Sequence, residues 1–391
     1  MLDTCVFNQK PINAFSAVRS VPSDADPVPR VELRGKDGAR VANLRSWTRA
    51  TLTEQVNAPG TLRLSYPAEQ PHAASLARPN EIWVRDAAGK VLGKYPIVSA
   101  ATSRTATGTR VDVEAQDLLG QLDDEVLLDY SASGRTVFDI VTDWLGAQVS
   151  EQPVTLGYID PVIAQMARSI NVRGGTILEA LGSLWETVGG HYYVSARRKF
   201  YWRARRGRSD GQQLRCRKNM LGVTRNEDTS RLATRLYIYG KNVGGARINL
   251  TGAGWPEEYV DTPTQALYGV LPAVIVDNSV SDAQTLLAMA SYCAEDRGKP
   301  RMTYEVNALR LAEADRRQLD FEAISLGSEV RVLDEALGFD VTTFVSRIER
   351  GLSRPDRVRV TLDTLAEDRF DIYQAVGMPM SAGDSGALIE D

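Results

Sequence analysis

Histidine and cysteine are scarce in this chain, with two of the first and three of the second in 391 residues. His72 and His191 are too few for most metal sites. Cys5, Cys216 and Cys293 are odd in number and far apart, which points to a reducing compartment and to neither a disulfide framework nor a zinc site. No apolar run reaches the length of a membrane span. The start, MLDTCVFNQKPINAF, lacks the basic residues and apolar core of a secretory signal, so the chain is expected either to stay in the cytoplasm where it is made or to leave by a route that reads no signal. Neither sign of charge dominates: 46 Lys and Arg against 50 Asp and Glu leave a net −4. That balance argues against a surface that tracks nucleic acid or anionic lipid throughout. A phosphate-binding glycine loop followed by Lys-Ser/Thr is also missing. The chain is therefore expected to need no cofactor and no metal.

What is present is strand periodicity. From Leu326 to Thr364 three runs alternate polar and apolar residues: Glu329 to Leu333, Val341 to Glu349 and Val358 to Leu362. That period puts one strand face on a core and one in water. Gly338 and Arg354-Pro355-Asp356 supply the turns. The pattern recurs 247 residues earlier, from Glu81 to Leu118, without a gap. In that alignment Val98-Ser99 meets Val345-Ser346, Arg110-Val111 meets Arg357-Val358, Val113 meets Val360 and Leu118 meets Leu365. The chain is expected to carry two copies of one antiparallel β-barrel.

In chain order, residues 1–29 are poor in apolar side chains, hold Pro22, Pro27 and Pro29, and read as an extended arm. Residues 30–128 read as the first barrel, with short, evenly spaced strands. At Ser131 the period changes. Thr136 and Asp139 form a capping-box-like start for a helix with Val137, Ile140, Val141, Trp144 and Leu145 on one face. Thr176 and Glu179 begin a second, with Ile177, Leu181, Leu184 and Trp185 inward and Gly189-Gly190 at its end. A hairpin from His191 to Arg203 completes a small α+β domain over 129–225. Thr234 to Gly240 is read as the first strand of a discontinuous second barrel, 226–245 and 322–365. Residues 246–321 are then an inserted α/β domain, with a helix from Asp282 to Asp296 and a strand after Pro300. Residues 366–391 read as a mobile acidic tail. The expected fold class is α+β, mostly β: two related antiparallel β-barrel domains, a small α/β domain and an inserted α/β domain.

Few motifs carry chemistry. Gly383-Asp384-Ser385-Gly386 looks like the surroundings of a serine nucleophile, but it has no histidine base to work with. Gly174-Gly175 before a helix offers a weak anion site, and Asp123-Asp124 and Glu257-Glu258 read as solvated surface. The one concentrated charge feature is Arg197 to Lys218, ten basic residues against one acid, with Phe200, Tyr201 and Trp202 interleaved. Arg197, Arg198, Lys199, Arg203, Arg205, Arg206 and Arg208 are the candidate contact residues. Such a stripe fits single-stranded nucleic acid. It equally fits an acidic partner or the wall of a pore.

The order of these signals resembles the hub protein of phage tails. That family takes in the baseplate hub of contractile-tail phages and the N-terminal structural region of the siphophage tail-associated lysin, or prophage tail endopeptidase. The pieces that carry the resemblance are VTRNEDTSRLATRLYIYGKN (Val223 to Asn242), WPEEYVDTPTQALYG (Trp255 to Gly269), the helix with Pro300 and YEV, and ISLGSEVRVLDEALGFDVTTFVSRIERGLSRPDRVRVTL. EQVNAPGTLRLSYPAE looks like the family's opening barrel, so the resemblance covers about 30 to 365. It implies a virion structural protein at the tail tip, with two related barrels per chain. It further implies a homotrimer whose six barrels form a pseudo-sixfold ring adapting a sixfold tail to a threefold tip. Implied partners are the distal tail protein ring, the tape measure protein and a tail-tip spike or fibre protein, with DNA passing through the lumen. Many relatives continue into a lysin region, whereas this sequence ends soon after the second barrel, so no enzyme activity is expected. The alternatives are a cell-wall hydrolase of the tail-associated lysin type and a basic single-strand-binding module.

Overall fold

The computed structural model describes residues 29–363, apart from 87–88, 107, 208, 210, 217, 277–279, 281–282, 310–323, 336–337 and 354–356. The expected N-terminal arm, the C-terminal tail and the Gly383-to-Gly386 motif therefore lie outside the described residues, as does Arg208.

The first β unit holds β1 (Arg30–Arg34), β2 (Arg40–Leu44), β3 (Arg49–Gln55), β4 (Ala58–Pro67), β5 (Glu81–Arg85), β6 (Val91–Thr105) and β7 (Gly108–Gln116). Alternation does the work expected of it. Along β4, Leu62, Leu64 and Tyr66 are buried while Arg63 is exposed. They pack with Leu33, Leu52, Ile82, Val84, Ile97 and Val113 into one apolar core. The Lys36-Asp37-Gly38 turn closes on Gly38, whose φ of 77° suits a residue without a Cβ.

The small α+β domain follows. β8 (Val126–Thr136) pairs with β10 (Ala167–Thr176), flanked by α1 (Val137–Gly146), β9 (Thr155–Ile159), α2 (Pro161–Ala164) and α3 (Ile177–Val188). Both helix starts are as read. The Asp139 N–H donates to the Thr136 hydroxyl, and Thr176 and Glu179 form a full capping box. The five inward residues of α1 are all buried, and Ile177, Leu181 and Leu184 join them in one core. β11 (His191–Val194) and β12 (Lys199–Arg203) form the hairpin, and β9 lies parallel to β12.

The second β unit is assembled differently from the expectation. It begins with β13 (Gln212–Arg215) and β14 (Met220–Asp228). The insertion then holds β15 (Arg235–Tyr239), the short pair β16 (Asn242–Val243) and β17 (Ala246–Arg247), and β18 (Tyr259–Asp261). It continues through α4 (Gln265–Tyr268), β19 (Pro272–Val276) and α5 (Ala283–Arg297). The chain returns to the unit as β20 (Arg301–Leu309), β21 (Glu329–Asp334), β22 (Phe339–Gly351) and β23 (Arg357–Asp363). The strand at Thr234 to Gly240 is thus corrected. β15 pairs with β18 and β19 in its own three-stranded sheet, and α5 covers it through Leu286 and Ala290. The strand after Pro300 is β20, which pairs with β14 and β23 in the second unit. Strand periodicity reports a half-buried face, not which sheet owns it.

The expectation of closed barrels is corrected as well. Among the described residues no sheet closes. A single sheet runs β14-β20-β23-β22-β3-β4-β7-β6-β5-β1-β2 through both β units. The reason is local. The outer edge of β3, which closure would have to use, is taken by β22 of the other unit. Leu352, just past β22, donates its N–H to Ala50 and buries its side chain in the first unit's core. Val56 donates to Ser346 and packs against the second unit's core. The two units exchange apolar side chains across their seam.

The repeat is present in the register itself. Glu81 pairs with Pro96 and Val84 with Gly93; Glu329 pairs with Phe344 and Val332 with Val341. Both members of each pair move by 248 residues, from 81 to 329 and from 96 to 344. Each long strand then carries a bulge at the same place, after Ile97 and after Val345. In β7 the shift is 247, because Ile97 opposes Ala115 and Val345 opposes Leu362. The gapless alignment is therefore right in β7 and one residue out in β5 and β6. It set exposed Val98 against buried Val345, whereas the register sets buried Ile97 there. In a strand a one-residue slip moves every side chain to the other face.

Candidate functional site

The basic stripe falls on the β11–β12 hairpin and the segment that leaves it, where its members have different surroundings. Phe200 and Trp202 point into the α+β core and are fully buried. Tyr201 leaves the opposite face and stacks on Tyr193 with ring centroids 5.1 Å apart. The Arg206 guanidinium lies 4.2 Å from the Tyr193 ring centroid, and that of Arg203 lies 5.9 Å from Tyr158. This outer sheet face, Tyr158, Tyr193 and Tyr201 with two arginines, is a cationic and aromatic surface. Arg197 and Lys199 at the hairpin tip and Arg205 beyond it are exposed.

Arg198 is set apart from them. It sits in the left-handed region, φ 59°, at the hairpin turn. From there it donates to Glu81 Oε1 at 2.8 Å, to Gln121 and to the Gln152 carbonyl. Both Arg198 and Glu81 are largely withdrawn from water, with side chains 15% and 8% exposed. Glu81 also accepts from Trp83 Nε1 at 2.9 Å. Arg198 therefore fastens the α+β domain to the first β unit and is not part of a free basic face.

A second fastening was not read from the sequence. Asn57, in the β3–β4 turn with φ 56°, donates to the Gly190 carbonyl at 2.9 Å and accepts from the Tyr192 N–H at 2.8 Å. The Tyr192 hydroxyl donates back to the Asn57 carbonyl. Asn tolerates this backbone conformation better than most residues, which is the signal an Asn57-Ala58-Pro59-Gly60 turn offers. Nearby, Glu54, Asp117, Tyr193 and Arg206 line a small cleft where the first unit meets the α+β domain. Burial pushes the Asp117 carboxyl up to about 6, although the Gly60 and Leu119 amides donate to it.

Neither histidine is placed for catalysis by these surroundings. His191 is buried and stacks on Phe344 of β22 at 5.9 Å. Its Nδ1 accepts from the Arg206 N–H, and burial pushes it down to about 4, with Arg206 and Arg205 adding to the effect. It is neutral at neutral pH. His72 is exposed on the loop after β4. The helix start after Gly174-Gly175 is filled by its own capping box, and Thr176 donates to Asp123 as well. Among the described residues no three His, Cys, Asp or Glu side chains group as metal ligands, and no helix is long and apolar enough to cross a membrane. Cys293 is buried, and Cys216 is disulfide-bonded. The sequence excludes a disulfide framework, and one bonded cysteine does not make one.

Solved structures of similar fold include three tail proteins, two of them from prophages. The tail protein from Neisseria meningitidis aligns with a TM-score of 0.62 at 17% identity, over 86% of this chain and 96% of its own. Prophage tail protein gp18 from Listeria monocytogenes gives 0.60 at 14%, over 89% and 98%. The 43 kDa tail protein of prophage MuSo2 from Shewanella oneidensis gives 0.61 at 14%, over 86% and 98%. Residues 208–372, the second β unit with its insertion, match the family described as Prophage endopeptidase tail. The resemblance to phage tail proteins read from the sequence therefore stands. Comparison with curated protein sequences gives no match.

Proposed function

We propose that the protein is a structural, non-enzymatic component of a phage tail, a hub at the tail tip in which copies of this chain form a ring. The observation that carries this reading is the repeated β unit. Two units with the same pairing register, fused edge to edge in one chain, give each copy two near-equivalent faces. Three copies then present six, the arrangement that joins a sixfold tube to a threefold tip. The family's endopeptidase label is a name, and His191, buried and lowered to about 4, makes only a weak base for such chemistry. The distal tail ring, the tape measure protein and a spike or fibre protein are the partners such a hub meets. Arg197, Lys199, Arg205 and the tyrosine face of the α+β domain supply the contact with an acidic neighbour or with DNA in the lumen. Negative-stain imaging of the protein, alone and with the candidate distal tail protein, classified without imposed symmetry, tests this. Threefold rings with six lobes are expected. Monomers in both samples, or clearing of host cell wall in a zymogram, would overturn it.

A further inference from the structure

Inside the chain, Arg347–Gly351 of β22 pairs with Thr51–Gln55 of β3, with Arg347 opposite Gln55 and Gly351 opposite Thr51. The repeat fixes where the counterparts of these two segments lie. Arg347–Gly351 corresponds to Ser99–Ser103 of β6 by the shared bulge. Thr51–Gln55 corresponds to Thr224–Asp228 of β14. The latter follows from matched ladders: Thr61 lies between Thr53 and Gln116, and Thr303 between Asn226 and Asp363. Among the described residues, Ser99–Ser103 is hydrogen-bonded as a strand only to β7 and Thr224–Asp228 only to β20. The two cannot meet within one chain, because β20, β23, β22, β3, β4 and β7 stand between them in the sheet.

We propose that β6 of one copy pairs antiparallel with β14 of the next, Ser99 opposite Asp228, Ala101 opposite Asn226 and Ser103 opposite Thr224. The occupant is a second copy, since the chain already contains one instance of this junction and, among the described residues, both halves of another are open. The chemistry of β6 suits it. Ser99, Ala100, Ala101, Thr102 and Ser103 are short, and all but the half-buried Ser103 are exposed. They let a strand approach, and none is the Lys or Pro that commonly guards an open edge. The seam residues differ in the expected way. Leu352, buried, and Val56, half-buried against the other unit's core, have exposed Arg104 and Thr229 as counterparts. A contact made only on assembly leaves polar residues that keep the free copy dissolved. Each copy offers one β6 and one β14, so the contact is head-to-tail and propagates around a ring if its rotation closes. The strand pairing deepens the hub reading, and only the closure into three rests on it.

The test mixes two single variants, Ala101→Cys and Asn226→Cys, under mild oxidation and follows native mass in parallel. A covalent dimer is expected from the mixture and from neither variant alone. Thr102→Cys with Asn226→Cys, whose side chains leave opposite faces, should link at least tenfold less. Thr53→Cys with Glu349→Cys in one chain is the folded control, since those two are paired directly. Oligomers with no β6–β14 link would overturn the junction and leave the ring. The link in an assembly of other than three copies would keep the junction and overturn the threefold hub. Monomers at every concentration would overturn both.

Discussion

The two β units share the order and register of five strands and differ at one hairpin and at the strand beyond: β5 pairs antiparallel with β1, and β21 parallel with β13. In the first, β3 and β4 are joined by Val56 and Asn57. In the second, the equivalent strands β14 and β20 are joined by residues 229–300, a whole α/β domain. Asp228 and Arg301 remain paired at the mouth of that excursion. The ends of the insertion are thus held as close as the ends of a turn, and the sheet registers little difference. Equivalence stops at the outer edge: β3 is covered there by β22, whereas among the described residues β14 pairs only with β20. Similar ladders make the units alike, and a few seam residues decide which face is permanent.

Breaking that comparison gives ordered expectations. Arg198→Ala leaves Glu81 withdrawn from water without its main partner, and should cost about 3–5 kcal/mol in chemical unfolding. Arg197→Ala, one residue away and exposed, should cost less than about 0.5 kcal/mol. Leu352→Ala opens the first unit's core and should cost about 3 kcal/mol, while Arg104→Ala at the counterpart position should be nearly silent. Ile97→Ala should cost about 3 kcal/mol and Val345→Ala slightly less, with Val98→Ala below about 0.5. Equal costs for Val98 and Val345 would restore the gapless alignment.

The smallest effect is in pH. His191 is lowered to about 4 from an ordinary 6.5, so the unfolded chain binds its proton first. Its contribution to stability is complete above pH 6.5 and is lost as pH falls toward 4. Asp117, raised to about 6, acts with the opposite sign, making the protein more stable as pH falls from about 6 toward 3.8. The net slope between pH 4 and 6.5 is shallow. His191→Phe should tilt it toward greater stability at low pH, and Asp117→Asn should tilt it the other way, as followed by thermal unfolding.

Much of this was legible in the sequence. Alternation located β21, β22 and β23, and Thr136 and Thr176 marked both helix starts. The identities at Arg110-Val111 and Val113 revealed the repeat. Other parts were not legible for physical reasons. Leu236 and Ile238 form the same pattern in whichever sheet they lie, so β15 was assigned to the wrong one. β13 has only four residues, and the partner of β14 comes after the insertion, so neither stood out. One residue of difference between the two long hairpins, invisible to a gapless alignment, reversed the faces in β5 and β6. Arg198 looked like its neighbours because its partners, Glu81 and Gln121, are far away in the chain. Closure is a property of sheet edges, and periodicity carries no information about edges.

The most direct test of the hub is native mass spectrometry of the purified full chain across a dilution series. Three copies, dissociating to one without a stable pair, is the result a closed head-to-tail ring predicts. A monomer throughout, or a symmetric dimer that resists dilution, would contradict it.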